Sequence, residues 1–437
     1  MFHSCSESLA VYNIPNKRLD AEAVYTNNVP SGAFRGYGLG QVMFAVESAL
    51  DELAFKLGID PFEMRRINAV RPGDPFIVAA DEPEDGLVFG SYGLDQCLDD
   101  AQQALARGNS VTAPVGDAWA VGEGMATAMI ATIPPNGHRS ECTIAVRAGG
   151  TYEVGVGTAE FGNGTTNVMR QIVASALNTR AQHVVVSHAD TDAAEYDTGA
   201  FGSTGITVAG KALHAACETL RDELLAAASR CAGTPQITGD LEEEGVRVGD
   251  VLVPFGTVIA AVSPEHQREG AAFASGSADG RERSVAFNVQ AFRVAVNRDT
   301  GEVKILQSIQ TADAGVVLNP EQCRGQIEGG VAQGIGSALY EEVLIRPDGS
   351  VRNPAFRTYR VPRMADIPDT EVYFADTSDD LGPYGAKSMS ESPYNPVAPA
   401  MANAIRRAIG VRPYEIPMTR DRVWRLAESA KVASSPM

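Results

Sequence analysis

The sequence predicts an α+β fold of mixed sheets with flanking helices, and three observations carry that expectation. The stretch "VAFNVQAFRVAVNRDTGEVKILQSIQTADAG" alternates apolar and polar residues on both sides of Asn297–Gly301, the pattern of an antiparallel hairpin with a five-residue loop. The segment "GLGQVMFAVESALDELAFKLG" repeats apolar residues at helical spacing. Strand and helix signals are interspersed without the regular alternation that a doubly wound sheet requires.

In chain order, Val42, Val46, Ala49, Leu50, Leu53 and Leu57 form the apolar stripe of a first helix that stops at Gly58. Asp60, Pro61 and Glu63 then supply an N-cap acid, a proline for the first turn and a glutamate at the third position, so a short second helix starts there. The polar, turn-rich run "RGNSVTAPVGDA" places a lobe boundary, giving regions 1–115 and 116–437. Strands are expected around "CTIAVRAGGTYEVGVGT", then a helix over 168–177 and a longer one over 208–228. Residues 231–283, weakly periodic and rich in Gly, Glu and Ser, read as the most insertion-tolerant part. Two further helices are expected over 329–343 and 399–409, and no internal repeat is visible.

A length of 437 residues exceeds what one core usually serves, and 44% hydrophobic with 21% charged residues is an ordinary folded composition. The formal net charge of −19, with basic residues only in isolated pairs such as Arg65-Arg66 and Arg406-Arg407, argues against nucleic acid and anionic membrane as partners. No apolar run approaches a spanning helix, and the first residues lack a basic segment followed by an apolar one, so a cytoplasmic protein without membrane insertion is expected. The cysteines at 5, 97, 142, 217, 231 and 323 include no C-x-x-C pair. They read as buried thiols rather than ligands of an iron–sulfur cluster or zinc.

Four segments set closely spaced glycines with small or amide residues ahead of a helix: "AFRGYGLGQ", "TAEFGNGTT", "AFGSTG" and "GQIEGGVAQGIG". Glycine lets backbone N–H groups approach a ligand, and a helix N-terminus favours an anion, so together they suit a phosphate-bearing cofactor. Taken alone, each reads first as a tight turn or helix cap, and it is the four together that shift the balance. None is a G-x-G-x-x-G dinucleotide fingerprint or a P-loop.

These segments, with "NPEQCRGQIEGGVAQGIGSALYEE" and "KSMSESP", resemble in order and spacing the molybdenum-cofactor subunit of the xanthine dehydrogenase/aldehyde oxidase family, the molybdenum hydroxylases. The resemblance covers essentially the whole chain. It implies the molybdenum-cofactor-binding fold of that type, two elongated lobes with mixed sheets and flanking helices. Residues 1–115 would be the C-terminal part of the first lobe and 116–437 the second. It implies hydroxylation with water as the oxygen source. Glu391 in "SESP" matches the family's base, although the local sequence alone allows a capping or surface glutamate as readily. Arg35 resembles the arginine beside the metal and pterin. Phe34, Gly36, Phe161, Gly162, Asn163 and Gln326 match cofactor-contacting positions, with Asn163 in place of the family's glutamine, and Gly202-Ser203-Thr204-Gly205 resembles the loop that holds the cofactor phosphate. Tyr37 matches an aromatic that stacks on a flat substrate, with plain core packing as the alternative. The metal needs no protein ligand, since the pterin dithiolene holds it; the cofactor would be molybdenum-molybdopterin, in the plain or the cytosine dinucleotide form.

Three departures refine the resemblance. The family's preceding half is missing from this sequence, so a second molybdopterin-binding chain is expected to complete the site, as in nicotinate dehydrogenase-type enzymes. His3 stands near the position of an arginine that orients purines in xanthine-specific enzymes, which disfavours a strict xanthine enzyme. Gly36 stands where copper-containing carbon monoxide dehydrogenases carry a cysteine, which disfavours that reaction. The favoured function is hydroxylation of a small N-heteroaromatic, nicotinate- or purine-like; an aldehyde oxidoreductase and a non-catalytic scaffold are the alternatives. The family pattern further implies a [2Fe–2S] subunit and an FAD subunit to carry electrons away.

Overall fold

Left-handed glycines bracket the first long helix: Gly38 (φ 83°) precedes α1 (Leu39–Leu57) and Gly58 (φ 66°) ends it. This computed structural model describes residues 7–75, 86–131, 137–234 and 239–434, so His3 and Cys5 lie outside the described residues. Residues 18–34, ahead of α1, run exposed without helix or strand. Helix α2 (Pro61–Asn68) starts as its sequence dictates, with the Asp60 carboxylate accepting from the backbone N–H groups of Phe62 (2.9 Å) and Glu63 (3.1 Å). There follow β1 (Leu87–Val88), α3 (Leu94–Arg107), β2 (Trp119–Ala131), β3 (Arg139–Val146), β4 (Tyr152–Val156), α4 (Thr165–Ala176), β5 (Val184–His188) and α5 (Gly210–Ala232). The second half holds β6 (Asp240–Glu242), β7 (Gly245–Val248), β8 (Val251–Pro254), α6 (Phe255–Ala261), β9 (Gln267–Arg268), β10 (Ala271–Asp279), β11 (Arg283–Asn297) and β12 (Val303–Ala312). The last elements are α7 (Pro320–Leu339), β13 (Thr370–Phe374), α8 (Val397–Ile409) and α9 (Arg420–Ser434).

The hairpin β11–β12 is the centre of one sheet, in which β1 and β2 flank β11 and β13 flanks β12; the β1–β11 and β12–β13 pairs are parallel and the others antiparallel. Its register closes at Val296 opposite Val303, one residue beyond the loop expected from the sequence. Strand β11 is buried on both faces. Val285, Phe287, Val289 and Ala291 join a core with α1, α2 and α3, while Ala286, Phe292, Val294 and Val296 join another with α7 and α8. Helix α8 lies directly on β2 because Gly122 and Gly124 carry no side chain: a Cβ there would sit 2.2 Å from Ala404 O and 2.1 Å from Ala404 N. A second sheet of order β5-β4-β3-β10-β9 is covered by α4, α5 and α6, and β6-β7-β8 form a small third sheet. The architecture is α+β with mixed sheets, as the interspersed signals predict.

Four expectations are corrected. The stripe assigned to the core on α1 lies at its edge: Val46 and Leu50 pack partly against it and Leu53 and Leu57 are 47% and 59% exposed, whereas Met43, Glu47, Asp51 and Ala54 are buried. Buried carboxylates rotate the inward face by roughly one residue, because each has a partner. Glu47 pairs with Arg65 at 3.0 Å, both side chains fully buried, and accepts from the Thr127 N–H and the Tyr12 hydroxyl; Asp51 pairs with Arg412 at 2.6 Å. Residues 239–283 are not a loose insertion: β10 is a central strand of the second sheet and α6 contributes Phe255 and Val258 to its core. Helix α7 starts at Pro320, not Gly329, and ends at Leu339, so "GQIEGGVAQGIG" is helix interior rather than a loop ahead of one. Its cap is Asn319, whose side chain accepts from the Gln322 N–H at 3.0 Å. Of the described cysteines, Cys97, Cys142 and Cys217 are buried free thiols as expected, while Cys323 is half-buried and Cys231 is exposed, which corrects the buried-thiol reading for those two.

Candidate active site

Four segments distant in sequence meet at one rim: the turn 34–38 before α1, the turn 199–205 before α5, helix α7, and the segment 386–395 before α8. The first turn is made of consecutive left-handed residues, Gly36 (φ 82°), Tyr37 (φ 54°) and Gly38 (φ 83°), which throw the neighbouring Arg35 outward from α1. A Cβ on Gly36 would overlap the Asn395 side chain, so this turn is seated against the start of α8. Phe34 packs edge-on against Tyr394, with ring centroids 5.3 Å apart.

Arg35 is the knot. Its Nη2 donates to the Gln326 carbonyl (2.8 Å) and Oε1 (3.3 Å), its Nη1 to Gln333 Oε1 (3.2 Å), and its Nε to the Ser390 carbonyl. Burial pushes the guanidinium down to about 10 while the Glu391 charge opposes this, so Arg35 remains a cation at neutral pH. Glu391 stands beside it, its Oε2 accepting from Ser203 Oγ at 3.1 Å. The phenol of Tyr37 is pushed up to about 12, by burial first and by the Glu391 charge second, and is therefore neutral near pH 7.

Below the rim lies a cleft of about 800 Å³, counting the space open to solvent, of the size that takes a cofactor. Phe161, Asn163, Ser203, Gly205, Gln326 and Ser390 line it, with an apolar back wall that includes Met169, Ile206 and Val317. Phe161 is 69% exposed at the edge, and a Cβ on Gly162 (φ 94°) would meet nothing within 4 Å. In the loop 199–205, Gly202 is left-handed (φ 69°) and the Thr204 hydroxyl donates to the Gly199 carbonyl at 2.9 Å.

The structure thus brings Arg35, Tyr37, Ser203, Gln326 and Glu391 together, puts Phe161 and Asn163 on the cleft wall, and turns the Thr204 hydroxyl inward. Four participants escape the sequence reading. Gln333 is one; its i+7 spacing from Gln326 on one helix face was the available signal. Ser390 and Gln322 are two more. The fourth is Glu160, whose carboxylate fills the N-terminus of α4, accepting from the N–H groups of Gly162 (2.7 Å), Gly164 (3.2 Å) and Thr166 (2.9 Å). Burial pushes Glu160 up, but these N–H groups outweigh it and hold the carboxyl below its usual range. The glycines of "EFGNGTT" therefore hold an anion, and that anion is the chain's own.

Among the described residues, no three His, Cys, Asp or Glu side chains gather as a metal site, and no helix is long and apolar enough to cross a membrane. Residues 99–368 and 1–69 each match a molybdopterin cofactor-binding domain family. The chain is 32% identical over 411 residues to a probable hypoxanthine oxidase of Escherichia coli strain K12, covering 92% of this chain and 43% of that one. It is 28% identical over 441 residues to the nicotine 6-hydroxylase large subunit of Paenarthrobacter nicotinovorans, covering 95% and 53%. Its fold matches quinoline 2-oxidoreductase from Pseudomonas putida 86 with a TM-score of 0.82 at 25% identity, covering 98% of this chain and 57% of that one. The chain spans about half the length of the relatives it matches.

Proposed function

The chain belongs to the molybdopterin cofactor-binding family of xanthine dehydrogenase and aldehyde oxidoreductase relatives, and on that premise we propose that it carries the base of a molybdenum hydroxylase. Its substrate in this reading is a small N-heteroaromatic, nicotinate- or purine-like, hydroxylated at an electron-poor carbon with water as the oxygen source. The observation that carries the proposal is the meeting of Glu391 and Arg35 at the rim of the cleft: a carboxylate held by Ser203 beside a guanidinium tied to Gln326 and Ser390. The division into lobes at 115/116 belongs to the same reading; the two separate family matches, over 1–69 and 99–368, support a two-part chain but do not fix that boundary.

The cleft residues fit a molybdenum–molybdopterin group. Gln322 Oε1 is buried on the cleft wall with no hydrogen-bond partner among the described residues, an acceptor suited to a pterin N–H. The bare backbone of Gly162 leaves room for close approach, and Asn163 and Gln326 add amide donors and acceptors. When bound, the group supplies the two-electron oxidation and holds the metal through its dithiolene. Glu391 accepts the proton that must leave the attacking water oxygen. Arg35 keeps positive charge at the rim and fixes the Ser390 carbonyl, so the segment bearing Glu391 cannot drift. Tyr37, neutral and half-buried, offers a ring face to a flat substrate.

Hypoxanthine, nicotine and quinoline in the names of relatives support an N-heterocycle, while an aldehyde oxidoreductase subunit of similar identity keeps the aldehyde as the second reading. A panel of N-heterocycles and aldehydes tests the choice. A second molybdopterin-binding segment completing the site, [2Fe–2S] and FAD subunits as electron carriers, and a cytoplasmic location complete the proposal. Native purification with metal, pterin and flavin analysis of all co-purifying chains tests the partners. For the core of the proposal, Glu391→Gln should lower turnover at least about 10³-fold with molybdopterin content unchanged. Turnover at the wild-type level would instead leave a scaffold that binds cofactor.

A further inference from the structure

Ser203 is 5% exposed and adopts φ 60°, a left-handed backbone that strongly favours glycine and that follows a second left-handed residue, Gly202 (φ 69°). A non-glycine residue there costs on the order of 1 kcal/mol and persists where its surroundings over-determine it. Here the side chain supplies the reason. Ser203 Oγ donates to Glu391 Oε2 at 3.1 Å, accepts from the Glu391 backbone N–H at 3.2 Å, and lies 2.9 Å from Ser390 Oγ.

A hydroxyl has one proton and two lone pairs. With its proton on Glu391, one lone pair on the Glu391 N–H and the other on the Ser390 hydroxyl, the Ser203 side chain has no donor left for a phosphate. The chain of contacts continues outward, because the Ser390 carbonyl is gripped by Arg35. From behind, the Thr204 hydroxyl braces the turn by donating to the Gly199 and Phe201 carbonyls, at 2.9 and 3.2 Å.

We propose that Ser203 is a positioning residue for the reaction, its hydroxyl fixing the backbone and the carboxylate of Glu391 together and not serving as a ligand of the cofactor phosphate. The proposal rests on Glu391 being the base. A carboxylate seized at both its backbone and one oxygen has a single orientation in which to take a proton, which is how a base is held within a few tenths of an ångström of its target. The Glu391 charge also acts on Arg35 and Tyr37, and changing Ser203 alters neither of those side chains chemically.

The test compares Ser203→Ala with Ser203→Gly in the holoenzyme. Both delete the hydroxyl, but only glycine also relieves the left-handed strain, so Ser203→Gly guards against a variant that merely folds badly. Both should keep wild-type molybdopterin content and lose about tenfold in kcat/KM, and the acid limb of the kcat/KM–pH profile should move upward, since the carboxylate loses a donor. Ser203→Gly should melt no lower than Ser203→Ala. Loss of molybdopterin in both variants would make Ser203 a cofactor ligand and overturn the proposal. An unmoved acid limb, with Glu391→Gln inactive, overturns the positioning role alone; full turnover of Glu391→Gln overturns this role and the functional reading together.

Discussion

Replacing Lys387 with methionine should destabilise the protein more than any surface change, and the size of the effect follows from what the ammonium touches. Its Nζ donates to Asp313 Oδ2 (2.7 Å), the Val285 carbonyl (2.8 Å) and the Ser91 carbonyl (3.1 Å), with Asp379 at 3.9 Å, and the Lys387 and Asp313 side chains are fully buried. Methionine keeps most of the stem and removes all three donors. Asp313 would retain the Gly93 N–H (2.9 Å) and the Thr377 hydroxyl (2.7 Å) but lose its counter-charge. Stranding one member of a buried pair costs about 3–5 kcal/mol. At a urea slope of about 3 kcal/mol per M, the unfolding midpoint should fall by about 1 to 1.7 M. Fluorescence of Trp119 and Trp424 reports the transition. Adding Asp313→Asn should recover part of the loss, a coupling of about 1–3 kcal/mol, and Arg18→Ala, in the exposed pair with Asp20, should leave the midpoint where it is. A loss below about 1 kcal/mol, or strict additivity of the two changes, would refute the reasoning. Activity should fall as well, because residues 386–390 line the cleft between this anchor and Glu391.

Two further perturbations separate the parts of the site. Glu160→Ala should free the turn that carries Phe161 and Asn163 and lower molybdopterin content more than Glu160→Gln does. Because the folded carboxyl is depressed, its stabilising contribution is present above the unfolded value of about 4.3 and is lost as pH falls through the folded value; acid release of the cofactor should weaken in Glu160→Gln. Gly330→Ala would place a Cβ 2.8 Å from Pro393 Cβ and push the turn after Glu391, lowering kcat/KM with cofactor content unchanged. Gly325→Ala, with nothing within 4 Å, should instead stabilise α7 by about 0.5–1 kcal/mol in a urea titration.

What local chemistry encodes was legible. The cap, proline and glutamate of α2 and the alternation of β11 and β12 are rules that act over a few residues, and both elements form where those rules put them. What pairs over distance was not. An apolar stripe on α1 is a sound guess until Glu47 meets Arg65 and Asp51 meets Arg412, 361 positions away; two buried carboxylates then turn the neighbouring face inward. The five glycines of α7 lowered its helical signal because each looked like a break, although Gly330 and Gly334 are bare so that Pro393 and Val397 can lie against the helix. The site repeats the lesson at higher stakes. Glu391 and Arg35 were found through a resemblance, not through spacing. Nothing in "AFGSTG" says that its serine will reach a glutamate 188 positions on. That contact exists because Gly202 and Ser203 both turn left-handed, so in three dimensions the glycine-bearing turn aims a hydroxyl at the Glu391 carboxylate.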